Sequence, residues 1–196
     1  MLLNIPNMLT LLRIALIPLF VAIYYSPLQH ASIIATLVFI AAGITDWLDG
    51  YLARKLGQHS PFGAFLDPVA DKLMVAAALI MLIADKDVHD LVIDNRLFGI
   101  VALIIMGREI TVSALREWMA EVGKRSRIAV SFVGKFKTAS QMVAIGFLIW
   151  REPLWGMNIF KIGEWLLYIA AALTLWSMIA YLRVAWPNLV RPEKST

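Results

Sequence analysis

The chain has 196 residues, of which 60% are hydrophobic and 16% charged, with a formal net charge of +4. Soluble domains carry about 25% charged residues, so a chain this apolar lacks the polar surface to cover a globule. That disfavours soluble enzymes, nucleic-acid binders and disordered chains, and it leaves an all-α polytopic membrane protein.

Six apolar stretches come close to the roughly 20 residues that cross about 30 Å of hydrocarbon. They are predicted at 5–27, 32–55, 62–84, 97–118, 130–150 and 161–185. The first holds Asn7, Thr10 and Arg13, with Pro6 near its start and Pro18 placed to kink it. It lacks a basic leader and a persuasive small-residue cleavage site, so it reads as a retained helix. The second ends in Asp46, Asp49, Gly50, Ala53 and Arg54; the third opens with Gly63, Asp67 and Asp71. The fourth carries Arg108 mid-span and Arg116 near its end, and the fifth carries Lys135 and Lys137 close to its start. The connections are short and no repeat is visible, which predicts a single integral membrane domain over residues 1–196.

Lysine and arginine orient such a chain. Arg54 and Lys55 lie in the second connection, Arg116, Lys124, Arg125 and Arg127 in the fourth, and Arg191 and Lys194 at the C-terminus. The 25–31 connection has none, and 85–96 has only Lys86 and Arg96 among four aspartates. Both termini and the two basic connections are therefore expected in the cytoplasm, so topology explains the positive charge. Trp150, Trp155, Trp165 and Trp186 fall near span ends, as expected of interfacial anchors. His30, His59 and His89 are too scattered for a histidine metal site, and no cysteine is present for a thiolate one.

Four aspartates stand out. One aspartate at the centre of a membrane helix costs about 2.5–3.5 kcal/mol, so four facing lipid would cost on the order of 10 kcal/mol. At 100° per residue, Asp46 and Asp49 lie within about 60° of each other, with Gly50 and Ala53 on their side; Asp67 and Asp71 are offset by about 40°. The second span descends to the cytoplasmic face and the third leaves it. At about 1.5 Å per residue, all four carboxylates then fall within roughly 14 Å of that face. Bare carboxylates so close repel one another. Hard divalent cations relieve the repulsion, since Mg²⁺ takes one or two carboxylates together with substrate phosphates. Two such ions about 4 Å apart clamp the oxygens of a phosphoryl displacement. Ion pairing with neighbouring helices and an ion-conducting path are the alternatives. The gathering of polar groups at one face, rather than the midplane, and the lack of an inverted repeat count against a transporter.

The residues Asp46, Asp49, Gly50, Ala53, Arg54, Gly63, Asp67 and Asp71 fit D-x2-D-G-x2-A-R-x8-G-x3-D-x3-D without departure. This is the signature of the CDP-alcohol phosphotransferases, which the chain resembles. The segments NIPNMLTLLRIALIP (4–18), FGAFLDPVADKL (62–73), GREI (107–110), LREWMAEVGKRS (115–126) and GKFKTASQM (134–142) resemble the members that act on glycerol 3-phosphate. The resemblance implies a six-helix fold in the bacterial inner membrane, a homodimer, and an active site open to the cytoplasm. It implies transfer of a phosphatidyl group from CDP-diacylglycerol to sn-glycerol 3-phosphate, releasing CMP, with two divalent cations, Mg²⁺ or Mn²⁺. By the same resemblance Asp46, Asp49, Asp67 and Asp71 are metal ligands and Asp71 is also the general base. Gly50, Ala53, Arg54 and Gly63 border the CDP-diacylglycerol, which Asp49, Asn7 and Thr10 also reach. Arg108, Arg116, Lys135 and Lys137 suit the phosphate of the acceptor. Glu117 and Glu121 are their alternative partners, because Glu109 projects about 100° away from Arg108 along the helix. A relative with another acceptor, such as phosphatidylglycerol in cardiolipin synthesis, is the nearest competing reading.

Overall fold

A computed structural model of the chain describes residues 4–57, 60–121 and 132–190. Seven helices follow one another among the described residues: α1 (Ile5–Tyr24), α2 (Ala31–Leu56), α3 (Pro61–Ala84), α4 (Lys86–Leu91), α5 (Asn95–Glu121), α6 (Phe132–Trp150) and α7 (Ile159–Val190). Polar residues set their starts. The Asn4 side chain accepts from Asn7 N at 3.0 Å, and Ser60 Oγ accepts from Gly63 N at 3.0 Å, each followed by proline in the first turn. Asp94 Oδ1 accepts from Arg96 N and Leu97 N, and Asn158 Oδ1 from Lys161 N. The six expected stretches match the six long helices, with ends shifted by a few residues. The short α4 was not anticipated, because its sequence KDVHDL carries no apolar period long enough to register.

Among the described residues, four helices are long and apolar enough to cross a membrane: α1, α2, Asn95–Met119 of α5 and Ile159–Arg183 of α7. The other two expected spans, α3 and α6, do not reach that measure over the described residues. In α3 the charges of Asp67, Asp71 and Lys72 interrupt the apolar run, and in α6 the stretch whose side chains are described, Thr138–Trp150, is apolar but shorter than a full span.

α1 packs against α2 and α3, α6 against α7 and α2, and α5 against α7. The core lies toward the end of the bundle where α1 finishes, around Phe20, Phe39, Leu79, Leu82, Phe98 and Ile145. Fully buried alanines such as Ala35, Ala42, Ala78 and Ala144 let helix backbones approach, as small residues do in membrane bundles. α6 and α7 come close together: a Cβ on Gly163 would stand 2.8 Å from Phe147 Cβ and 2.9 Å from the Ala144 carbonyl.

That end is also tied by charge. Arg151, in the left-handed region at φ 58°, donates to Asp85 and to the Tyr24 hydroxyl and stacks 4.9 Å over the Tyr24 ring. The fully buried Glu164 accepts from Ile93 N and Tyr168 OH, both at 2.7 Å, and pairs with Lys161. The opposite end carries the polar side chains of α1, α2 and α3.

Candidate active site

Three helices converge on the carboxylates. Arg13, 1% exposed, reaches from α1 to α2, where Nη2 donates to Asp49 Oδ2 and Nη1 lies 2.7 Å from Asp46 Oδ1. Thr10, one turn earlier on the same face, places Oγ1 2.6 Å from Asp67 Oδ1 on α3 and 3.4 Å from Asp49 Oδ2. Asp49, Asp46 and Asp67 therefore belong to one network, joined through α1. Asp71 completes the set: with Asp46 and Arg13 it lines one end of a cavity of about 580 Å³. The expected gathering of aspartates is what α2 and α3 produce. Its organising residue is Arg13, which lies outside the signature and is not among the expected site residues. The signal was available in the sequence, since an arginine three residues after Thr10 shares its helical face.

Gly63 sits where α3 meets α1. A Cβ there would lie 2.5 Å from Asn7 Oδ1, which itself accepts from Ser60 Oγ at 2.9 Å. Asn7 is thus buried at the α1–α3 joint, 2% exposed. Gly50 and Ala53 are half-buried on the α2 face beyond Asp49, and Arg54 is exposed. Lys72, next to Asp71 in sequence, turns instead to α5 and donates to Ser113 Oγ.

The expected basic cluster is only partly described. Arg108 is buried and its Nη1 is 2.7 Å from Glu109 Oε1. This corrects the expectation that Glu109 projects out of reach: 100° between Cβ directions does not separate two long side chains that bend toward each other. Arg108 Nε remains buried without a hydrogen-bond partner among the described residues. The side chains of Arg116, Lys135 and Lys137 lie outside the described residues.

The donor set suits hard cations by its chemistry. Four carboxylates against the Arg13 guanidinium leave a formal charge of −3, with Arg13 and Asp49 buried and Asp46 half exposed. Arg13 Nε is also buried without a partner. Among the described residues no group of three or more Asp, Glu or His side chains is placed to hold a metal ion by itself. Mg²⁺ does not require one, because it takes one or two carboxylates and completes its shell with water and substrate phosphate.

Comparison with known proteins places the whole chain. Residues 3–176 match the CDP-alcohol phosphatidyltransferase family. The chain is 54% identical over 187 residues to the CDP-diacylglycerol–glycerol-3-phosphate 3-phosphatidyltransferase of Haemophilus influenzae, covering 95% of this chain and 96% of that one. It is 48% and 47% identical to the proteins of that name from Salmonella typhimurium and Escherichia coli, covering 95% of this chain and 97% of each. With its signature aspartates assembled on α2 and α3, and with that match spanning most of its length, the chain belongs to the CDP-alcohol phosphatidyltransferase family.

Proposed function

We propose that the protein transfers the phosphatidyl group of CDP-diacylglycerol to sn-glycerol 3-phosphate, giving phosphatidylglycerophosphate and CMP. The observation that carries this reading is the carboxylate network of Asp46, Asp49 and Asp67, whose Asp46 lines, with Asp71 and Arg13, one end of a mostly apolar cavity. Relatives about half identical over 95% of the chain bear the name of that reaction.

The chemistry follows from the residues. The acceptor hydroxyl gives up its proton as its oxygen attacks the β-phosphorus, and the phosphorus–oxygen bond to CMP breaks, leaving its electron pair on CMP. Asp71, facing the cavity, is the carboxylate we assign as the base that takes the proton. Asp46, Asp49, Asp67 and Asp71 are the residues that would hold two divalent cations, Mg²⁺ or Mn²⁺, which supply charge neutralisation at the diphosphate. Arg13 and Thr10 keep those carboxylates aimed at one place, so positioning and electrostatics do most of the work. Gly50, Ala53 and Arg54 line the way to the nucleotide, with Asn7 and Gly63 at the adjoining joint. The buried, unpartnered Nε of Arg108 supports a role for Arg108, with Arg116, Lys135 and Lys137, in holding the acceptor's phosphate.

In this reading all six long helices cross the bilayer of the bacterial inner membrane. The charged start of α3 faces the site rather than lipid, and the termini and site open to the cytoplasm. A homodimer is the assembly we infer. The test is CMP release by purified protein from labelled CDP-diacylglycerol with a panel of acceptors, with and without Mg²⁺ or Mn²⁺. Release confined to glycerol 3-phosphate supports the assignment. Release with phosphatidylglycerol instead assigns the cardiolipin-type reaction, and metal-independent turnover refutes the two-cation reading.

A further inference from the structure

The cavity that begins at Asp46, Asp71 and Arg13 does not end there. It continues between α2 and α6, and past those three residues its walls are predominantly apolar. On α2 it runs from Asp46 back to Thr36, ten residues or about 15 Å of helix; on α6 it runs from Thr138 to Trp150, about 18 Å. That is roughly half the thickness of a bilayer's hydrocarbon core. Trp150, Leu154 and Ile159 stand at the far end. Trp150 was expected at the membrane interface with Trp155, Trp165 and Trp186. Those three are exposed, whereas Trp150 is half-buried in the cavity wall.

Two glycines keep the passage open. A Cβ on Gly146 would meet nothing within 4 Å, so a side chain there would grow into the cavity. A Cβ on Gly43, on the opposite wall, would approach only Met142 Cε, at 3.2 Å.

We propose that this passage holds one acyl chain of the lipid substrate, and that Gly43, Gly146 and the Trp150 end set which chain lengths fit. The proposal rests on the assignment of CDP-diacylglycerol as donor. A sugar phosphate or nucleotide gains nothing from walls of Ile40, Phe39, Val143 and Phe147, whereas a chain bonded to a headgroup at the aspartates leads directly into them. A chain in lipid is already in apolar surroundings, so length alone brings no advantage. Selection comes from packing. A chain that fills the passage gains close contacts, and one that overruns it meets Trp150 and Leu154 and must bend.

The experiment uses full-length protein in mixed micelles with CDP-diacylglycerols of graded acyl length. Gly146→Leu should raise KM for long-chain donors about tenfold and move the optimum to shorter chains. It should leave KM for glycerol 3-phosphate within about twofold. Trp150→Ala should move the optimum to longer chains. An unchanged length profile in both variants overturns the proposal. A turnover-independent arm uses a CDP-diacylglycerol with a photoreactive diazirine midway along one chain. Labelling within residues 36–46 and 138–150, reduced in Gly146→Ala and abolished in Gly146→Leu, supports the passage. Labelling of wild type only on other segments overturns it. If no donor yields CMP while this labelling is obtained, the donor seat stands and the transfer reaction fails.

Discussion

Arg13 of α1 donates to Asp49 of α2 with both side chains sequestered, at 1% and 4% exposure. Breaking such a pair leaves a buried charge uncompensated, at a cost of about 3–5 kcal/mol. Arg13→Ala is therefore expected to lower the thermal midpoint in detergent and abolish turnover. Arg13→Lys should recover folding more than activity, since one ammonium is a point charge and does not fork between Asp46 and Asp49. Equal activity in Arg13→Ala and wild type would remove Arg13 from the site.

Thr10 tests the other arm of the network. Thr10→Val keeps the shape of the side chain and deletes the hydroxyl 2.6 Å from Asp67 Oδ1. Hydrogen bonds to charged groups contribute about 1.5–3 kcal/mol. The variant should fold, lose a corresponding share of stability on denaturant titration, and turn over more slowly. Calorimetric titration should also find weaker Mn²⁺ binding, because Asp67 is no longer aimed.

Gly63→Ala should separate α1 from α3. Its Cβ would lie 2.5 Å from Asn7 Oδ1 and 3.1 Å from Ser60 Oγ, and both of those oxygens are already engaged with each other. Overpacking of this kind costs about 1–3 kcal/mol. A paired Gly63→Ala, Asn7→Ala variant should regain much of the loss if the clash is the cause. A single variant as stable as wild type would contradict the close approach.

Asp71→Asn preserves volume and removes the base. Turnover should fall by about 10²–10⁴-fold, while filter binding of labelled CDP-diacylglycerol persists. Near-normal rates would transfer the base role to another carboxylate.

The far end of the bundle should weaken in acid. Burial pushes the Asp85 carboxyl up, but the Arg151 hydrogen bond and charge, with the Tyr24 hydroxyl and Asp87 N–H, outweigh it and hold Asp85 below the usual carboxylate range. A depressed carboxylate contributes its full stability above its unfolded value, about 3.9. That contribution is lost as pH falls through the lower folded value. Thermal midpoints should therefore drop more steeply below about pH 4 in wild type than in Asp85→Asn. Parallel curves would show that the Arg151–Asp85 pair contributes nothing.

Much of this architecture was readable from one dimension. The long helices follow from long, mostly apolar runs, several of them opened by Asn4, Ser60, Asp94 and Asn158, because capping and hydrophobic periodicity are local. Asp46 with Asp49, and Asp67 with Asp71, share faces by helical arithmetic alone. Arg108 and Glu109 show where that arithmetic stops: backbone angle does not determine where two flexible side chains end.

The sequence by itself determined the solvent, the helices and the four carboxylates, since each depends on composition or on spacing within one segment. Only the tertiary structure decided that Arg13 and Thr10 join those carboxylates across 36 and 57 residues of chain, that Gly63 must be bare against Asn7, and that Gly146 faces open space. Those relations arise from how α1, α2, α3 and α6 pack, and packing depends on shapes meeting from distant segments, which no local pattern encodes.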